Sequence, residues 1–360
     1  MKVTRLRTRI VSLPFSPPIA GGFEIRTADC VLVFLDTDAG LTGEGVAFVL
    51  NGHRLALLHN LILSLEPLTV GCDPFRSSDV TARAWGELAP FGRVGLSAIG
   101  VAAIECALWD LRGKALALNV AHMIGAYRAA VPVYHSGALW PDRDLDALQR
   151  EAADLVAKGY RALKMRVGKF PLEIDIARVR AVREAIGFDI DLMADANQRM
   201  SVEGAIRFGR MVEEFQLRWL EEPVHCLNHT GEAAVAAALD TPVASGESEY
   251  TSRNMHGMLR LQCADVLMPD LMRMGGPSEF MKAGHLAEAF GVPISSHLFP
   301  EMSLPLLAAT ANVAYLEYMP WLEPLYLERI ELDGNGRAVL PERPGWGFGF
   351  DPAAVERYAA

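Results

Sequence analysis

The N-terminal segment MKVTRLRTRIVSLPF alternates polar and apolar side chains, the two-residue period of a half-buried strand. A signal peptide would instead show a continuous apolar core. CVLVFLDTDAGLTGEGVAFV then reads as a strand, an Asp/Gly turn and a second strand, so a three-stranded antiparallel sheet is expected. LSAIGVAAIECALWDLRGKAL, residues 96–116, has the length and apolar load of a buried helix. Strands first and helices after signal a separate α+β unit.

From about residue 130 the rhythm changes. VPVYH is strand-like, and DLDALQREAADLVAKG is helical with Gly159 as its stop. YRALKMRVG is a strand, followed by a helix LEIDIARVRAVREAIG that places Ile174, Val179, Val182 and Ile186 on one face. DIDLMAD, LRWLEEP, TPVASGE, ADVLMPD, VPISSH and VAYLEY continue the strands. Short apolar strands alternating with helices predict a closed parallel barrel. The expected division is an α+β capping domain over 1–126, a barrel over 127–321, and a Gly/Pro-rich segment, 322–360, folding back onto the first domain.

Composition narrows the function. Half of the 360 residues are hydrophobic, enough for a large core. The net charge of −10 and the absence of any Lys/Arg run argue against nucleic acid and anionic membranes as partners. No apolar stretch is long enough to span a bilayer. The five cysteines are scattered, without a Cys-x-x-Cys pair, which disfavours a disulfide framework or structural zinc and fits a reducing cytoplasm.

In a parallel barrel the active site lies at the C-terminal ends of the strands. There the chain carries Lys164 and Arg166, Asp195, Glu221, Glu247, Asp270, His297 and Glu317. After the Lys/Arg pair, successive members are about 20 to 30 residues apart, one βα unit. Asp195, Glu221 and Glu247 stand on consecutive strands, and three converging carboxylates repel unless a cation joins them. Hard oxygen ligands suit Mg²⁺, one per subunit, preferred to Mn²⁺ on availability. Asp270 and His297 end the next two strands, where a carboxylate on one imidazole nitrogen leaves the other to move protons.

The motifs KMR, DAN, EEP, GE, PD, SSH and LEY, in this order and spacing, resemble the enolase superfamily and, within it, the mandelate racemase subgroup. The resemblance implies a modified (β/α)7β barrel under a capping domain, and removal of a proton α to a carboxylate. It further implies that Lys164 adds charge to the substrate oxygens, that a protonated Glu317 donates a hydrogen bond to them, and that His297 is the acid/base on one face. Members are often dimers or octamers, so a homo-oligomer acting on a small-molecule carboxylate is expected.

In racemases of this subgroup the strand motif is Lys-x-Lys, the second lysine being the opposite base. Arg166 stands there instead, and guanidinium is a poor base at neutral pH. A one-base dehydratase of an acid sugar is therefore expected, with a 2-hydroxy-acid racemase as the alternative and a silent binding protein last. Asn197 is expected to support the ligand shell. The capping loops at 17–27 and 50–54 offer Glu24, Arg26 and His53 as a polar lining, although Phe23 and Ile25 also suit an apolar group. His135 occupies a further loop within reach of the mouth.

Overall fold

The computed structural model describes residues 1–21 and 23–360. Strands β1 (Val3–Ala20), β2 (Glu24–Thr37) and β3 (Thr42–Leu50) form the expected antiparallel sheet in the order β1-β2-β3. The Leu96–Leu116 helix lies directly on β3. That approach needs glycine: a Cβ at Gly45 would stand 2.1 Å from the Ala103 carbonyl oxygen, and one at Gly43 2.2 Å from that of Ala107. Neither distance is physically accessible, so the two glycines set the helix–sheet spacing.

Eight strands follow: β4 (Ala130–His135), β5 (Ala162–Arg166), β6 (Asp191–Asp195), β7 (Trp219–Glu221), β8 (Val243–Ser245), β9 (Val266–Leu267), β10 (Ile294–Ser295) and β11 (Val313–Tyr318). Each pairs in parallel with the next, and β11 pairs with β4 to close the barrel. Tyr134, Met193, Trp219, Ala244 and Met268 form one apolar cluster in its interior. A short strand, β12 (Arg337–Val339), adds to the outside of β4 antiparallel. The Leu172–Ile186 helix buries Ile176, Val179, Val182 and Ile186, while Ile174 is exposed. The apolar face is thus offset by two residues from the expected one at its first turn.

The C-terminal segment reaches back to the capping unit. Asp110, on the Leu96–Leu116 helix, accepts hydrogen bonds from the backbone N–H of Trp346 (3.0 Å) and of Glu44 on β3 (2.9 Å). The same carboxylate pairs with Lys114 at 2.6 Å. One buried acid thereby joins helix, sheet and returning segment, with its charge matched. Among the described residues no single helix is long and apolar enough to cross a membrane.

Candidate active site

Register levels the site. Arg166 pairs with Asp195 across β5–β6, and Asp195 with Glu221 across β6–β7. Directly paired residues in a barrel share a face, so all three side chains enter the mouth at one height. Lys164 lies one layer below on the same face. Glu247, Asp270 and His297 follow β8, β9 and β10 by two or three residues, and Glu317 is the penultimate residue of β11. Lys164, Arg166, Asp195, Glu247, His297 and Glu317 of the sequence-predicted set line one cavity of about 290 Å³ at the barrel mouth beneath the β1–β2 hairpin, while Glu221 and Asp270 stand behind it, in contact with Lys164 and His297.

Lys164 is 1% exposed and contacts three carboxylates. Its ammonium donates to Glu221 at close range, sits 2.9 Å from Glu317 and lies 3.5 Å from Asp195. Burial opposes the charge, but these anions hold the Lys164 ammonium far above its usual range. Glu317 also accepts the Leu298 backbone N–H at 2.8 Å. Burial would raise its carboxyl, yet Lys164 and then His297 overcome this and hold it below the ordinary carboxylate range. In these contacts Glu317 acts as an acceptor, with the Lys164 ammonium as a close neighbour.

Asp270 and His297 form the expected pair. His297 Nδ1 is 2.7 Å from Asp270 Oδ2, while Asp270 Oδ1 accepts from the Met272 and Arg273 backbone N–H groups at 2.9 and 2.8 Å. The carboxylate is fully occupied, so the ring is fixed and Nε2 is left toward the cavity, 3.3 Å from Glu247. Burial pulls the imidazole down, but Glu247, the Asp270 hydrogen bond and Glu317 push it up to about 9.

Arg166 answers for its own identity. Its two terminal nitrogens donate to the Ser136 carbonyl and, at 2.9 Å, to the Ser136 hydroxyl. Its guanidinium lies 4.1 Å over the Trp140 ring. A planar fork that stacks and donates from two nitrogens is something an ammonium cannot reproduce.

The fit of a divalent cation can be judged from the donors. Among the described residues no three acids or histidines are already drawn together as a metal cluster, and Lys164 stands between Asp195 and Glu221. One lysine does not neutralise the set. Burial, then Asp195, Glu317 and Glu247, push Glu221 up to about 8 against the pull of Lys164. Burial and Glu247 raise Glu222 as well, and its Oε1 is buried without a partner. Carboxylate oxygens crowded around a single buried lysine are a donor set that fits a hard dication. Asn197 supports it as expected, with Nδ2 3.0 Å and backbone N–H 2.8 Å from the Asp195 carboxylate.

Four expected contacts are not made. Residues 24–27 are strand rather than loop, so side chains alternate: Ile25 faces the cavity while Glu24 and Arg26 point out and pair with each other at 2.5 Å. His53 is an exposed turn residue that does not line the cavity. His135 closes β4, buried outside the barrel bore against Tyr160 and Tyr318, and burial lowers it to about 4. Conversely, the sequence reading missed Glu222, Gln198 and Arg273, which line the cavity. Gln198 donates to Glu222 at 2.6 Å, and Arg273 to the Glu247 carbonyl at 2.7 Å.

Comparison with known proteins identifies the family of both parts of the chain. Residues 5–125 match the mandelate racemase / muconate lactonizing enzyme N-terminal domain, and residues 147–354 the enolase C-terminal domain-like family. The chain is 36% identical to L-talarate/galactarate dehydratase of Salmonella typhimurium over 78% of its own length and 70% of the relative's. It is 31% identical to arabinonate dehydratase of Saccharolobus solfataricus, over 94% and 92% respectively. The crystal structure of L-talarate dehydratase from Polaromonas sp. JS666, complexed with Mg and L-glucarate, superposes with a TM-score of 0.94 at 32% identity, covering 100% of this chain and 97% of that one. The chain belongs to the mandelate racemase / muconate lactonizing enzyme family, with its enolase-like C-terminal barrel.

Proposed function

We propose that this protein is a Mg²⁺-dependent dehydratase of 2,3-dihydroxy acids of the sugar-acid type, working from one face of the substrate. The observation that carries this reading is the pairing of one oriented base, His297 on Asp270, with a guanidinium at position 166 whose terminal nitrogens are already engaged. Proton transfer on both faces needs a second base, and a guanidinium is a poor base at neutral pH. Relatives that are dehydratases support the same choice.

Asp195, Glu221 and Glu247 would hold the cation, which would supply Lewis-acid stabilisation of the substrate carboxylate and would offset Glu247's pull on His297. Lys164 stands beside those ligands and neutralises charge that grows as the α-proton leaves. Neutral His297 takes that proton at Nε2, and Asp270 stabilises the resulting imidazolium. The enediolate then expels the β-hydroxyl, to which His297 returns the proton as water departs. The enol product becomes the 2-keto-3-deoxy acid. Arg166, held over Trp140, orients the substrate.

The test is incubation with Mg²⁺ and a library of aldonic and aldaric acids, with the 2-keto acid product trapped by semicarbazide. Trapped product with at least one acid is expected. Racemisation of a simple 2-hydroxy acid with no keto acid from any library member would overturn the reading.

A further inference from the structure

The cavity has two unlike ends. Its lining lysine and arginines, Lys164, Arg166 and Arg273, all sit at the barrel end, and each is already tied to an acid or a carbonyl there. The opposite end is contributed by the capping sheet and the segment after β11, through Ile25, Phe48, Leu50, Met319 and Trp321. Among the described residues no charged side chain lines that end, because Arg26 turns outward onto Glu24.

The two ends are joined by a rigid wall. Arg166 lies over Trp140, and Trp140 stacks on Trp321 with ring centroids 6.3 Å apart and planes 13° from parallel. Trp321 then meets Phe48 at 6.1 Å. A ligand whose carboxylate is held at Lys164 must therefore run its carbon chain along indole and phenyl faces into an apolar recess. A second carboxylate delivered there would lose its water and find no donor of opposite charge. A methyl or aryl terminus would be welcomed by the same surface.

From this asymmetry we infer that the substrate is a monocarboxylate with an apolar terminus, a deoxy- or aryl-substituted 2,3-dihydroxy acid, and that Ile25, Phe48, Leu50 and Trp321 refuse diacids. This assignment rests on the α-proton chemistry proposed above and names the substrate class for it.

The experiment compares 6-deoxyhexonates, hexonates and hexarates of every C2/C3 configuration with the Mg²⁺-loaded enzyme in D₂O. Proton NMR follows both loss of the α-proton signal and keto acid formation. The best 6-deoxyhexonate should exceed its hexonate by about ten-fold in kcat/KM, and the matching hexarate by on the order of a hundred-fold. Leu50→Arg, which brings a cation to the apolar end at a half-buried rim position, should narrow or reverse the hexarate deficit. A wild-type enzyme that turns over a hexarate best overturns this inference while leaving the α-proton chemistry intact. Loss of no α-proton from any acid overturns that chemistry, and the substrate class falls with it.

Discussion

Glu105 offers a quantitative test of how the capping unit holds the loop that follows Asp270. It lies on the Leu96–Leu116 helix, 1% exposed, and reaches the turn between Asp270 and the Pro277–Ala289 helix. Ser278 Oγ donates to it at close range and Trp109 Nε1 at 3.4 Å. A Cβ at Gly276 would fall 2.2 Å from its Oε2, so the turn is packed directly on the carboxyl. Burial pushes this carboxyl from 4.5 up to about 7, against the hydrogen bonds that pull it down. Because the folded value lies above the unfolded one, its neutral form stabilises the fold. That stabilisation is complete below pH 4.5 and is lost as pH rises through 7. A move from 4.5 to about 7 corresponds to about 3 kcal/mol. Glu105→Gln is neutral throughout and keeps an acceptor for Ser278 and Trp109. The variant should match wild type in urea unfolding at about pH 4.5 and exceed it by about 3 kcal/mol at about pH 8, a midpoint difference of roughly 1 M. Wild-type and variant stabilities that stay parallel between the two pH values would refute the reasoning.

Other perturbations address the site itself. Glu221→Ala removes a central oxygen donor and should abolish both turnover and the heat of Mg²⁺ binding; unchanged Mg²⁺ affinity by calorimetry would remove Glu221 from the ligand set. Asp270→Asn leaves Nδ1 without its anionic partner, so kcat should fall by on the order of 10³–10⁴-fold with KM little changed. Arg166→Lys loses the stack on Trp140 and the fork on Ser136. Dehydration should slow, and slow α-carbon epimerisation should appear by NMR if an ammonium there titrates. Lys164→Ala should depress kcat more than substrate binding, as measured by turnover against inhibitor affinity.

The barrel and the convergent carboxylates were legible in the sequence because parallel strands are short apolar runs and register is set by the same period. Asp195 and Glu221 close such runs, and the structure pairs them directly. Glu222 was not legible. Strict alternation would turn it away from the mouth, but its backbone enters the left-handed region at φ 38°, and its side chain lines the cavity instead. Non-glycine residues of this kind cost about 1–3 kcal/mol each and gather where function demands them. Asn197, Gln198 and Leu298 share the feature at the ends of β6 and β10. The Glu24 and Arg26 expectation failed for a related reason: residues 24–27 looked like loop, and only the observed strand shows which of them alternate inward. The Trp140–Trp321–Phe48 wall joins residues far apart in sequence. No local period could announce it, and it changes the reading of the distal cavity from polar to apolar.

The central claim is that His297 alone moves the α-proton. The most direct test is recovery of unreacted substrate from partial turnover in D₂O, for wild type and His297→Asn, with α-deuterium content and C2 configuration read together by NMR. The account predicts that wild type incorporates deuterium with retention at C2, and that His297→Asn incorporates none while still binding Mg²⁺ and a carboxylate inhibitor. Deuterium appearing with inversion in wild type, or persisting in His297→Asn, would contradict it and place a working base on the other face.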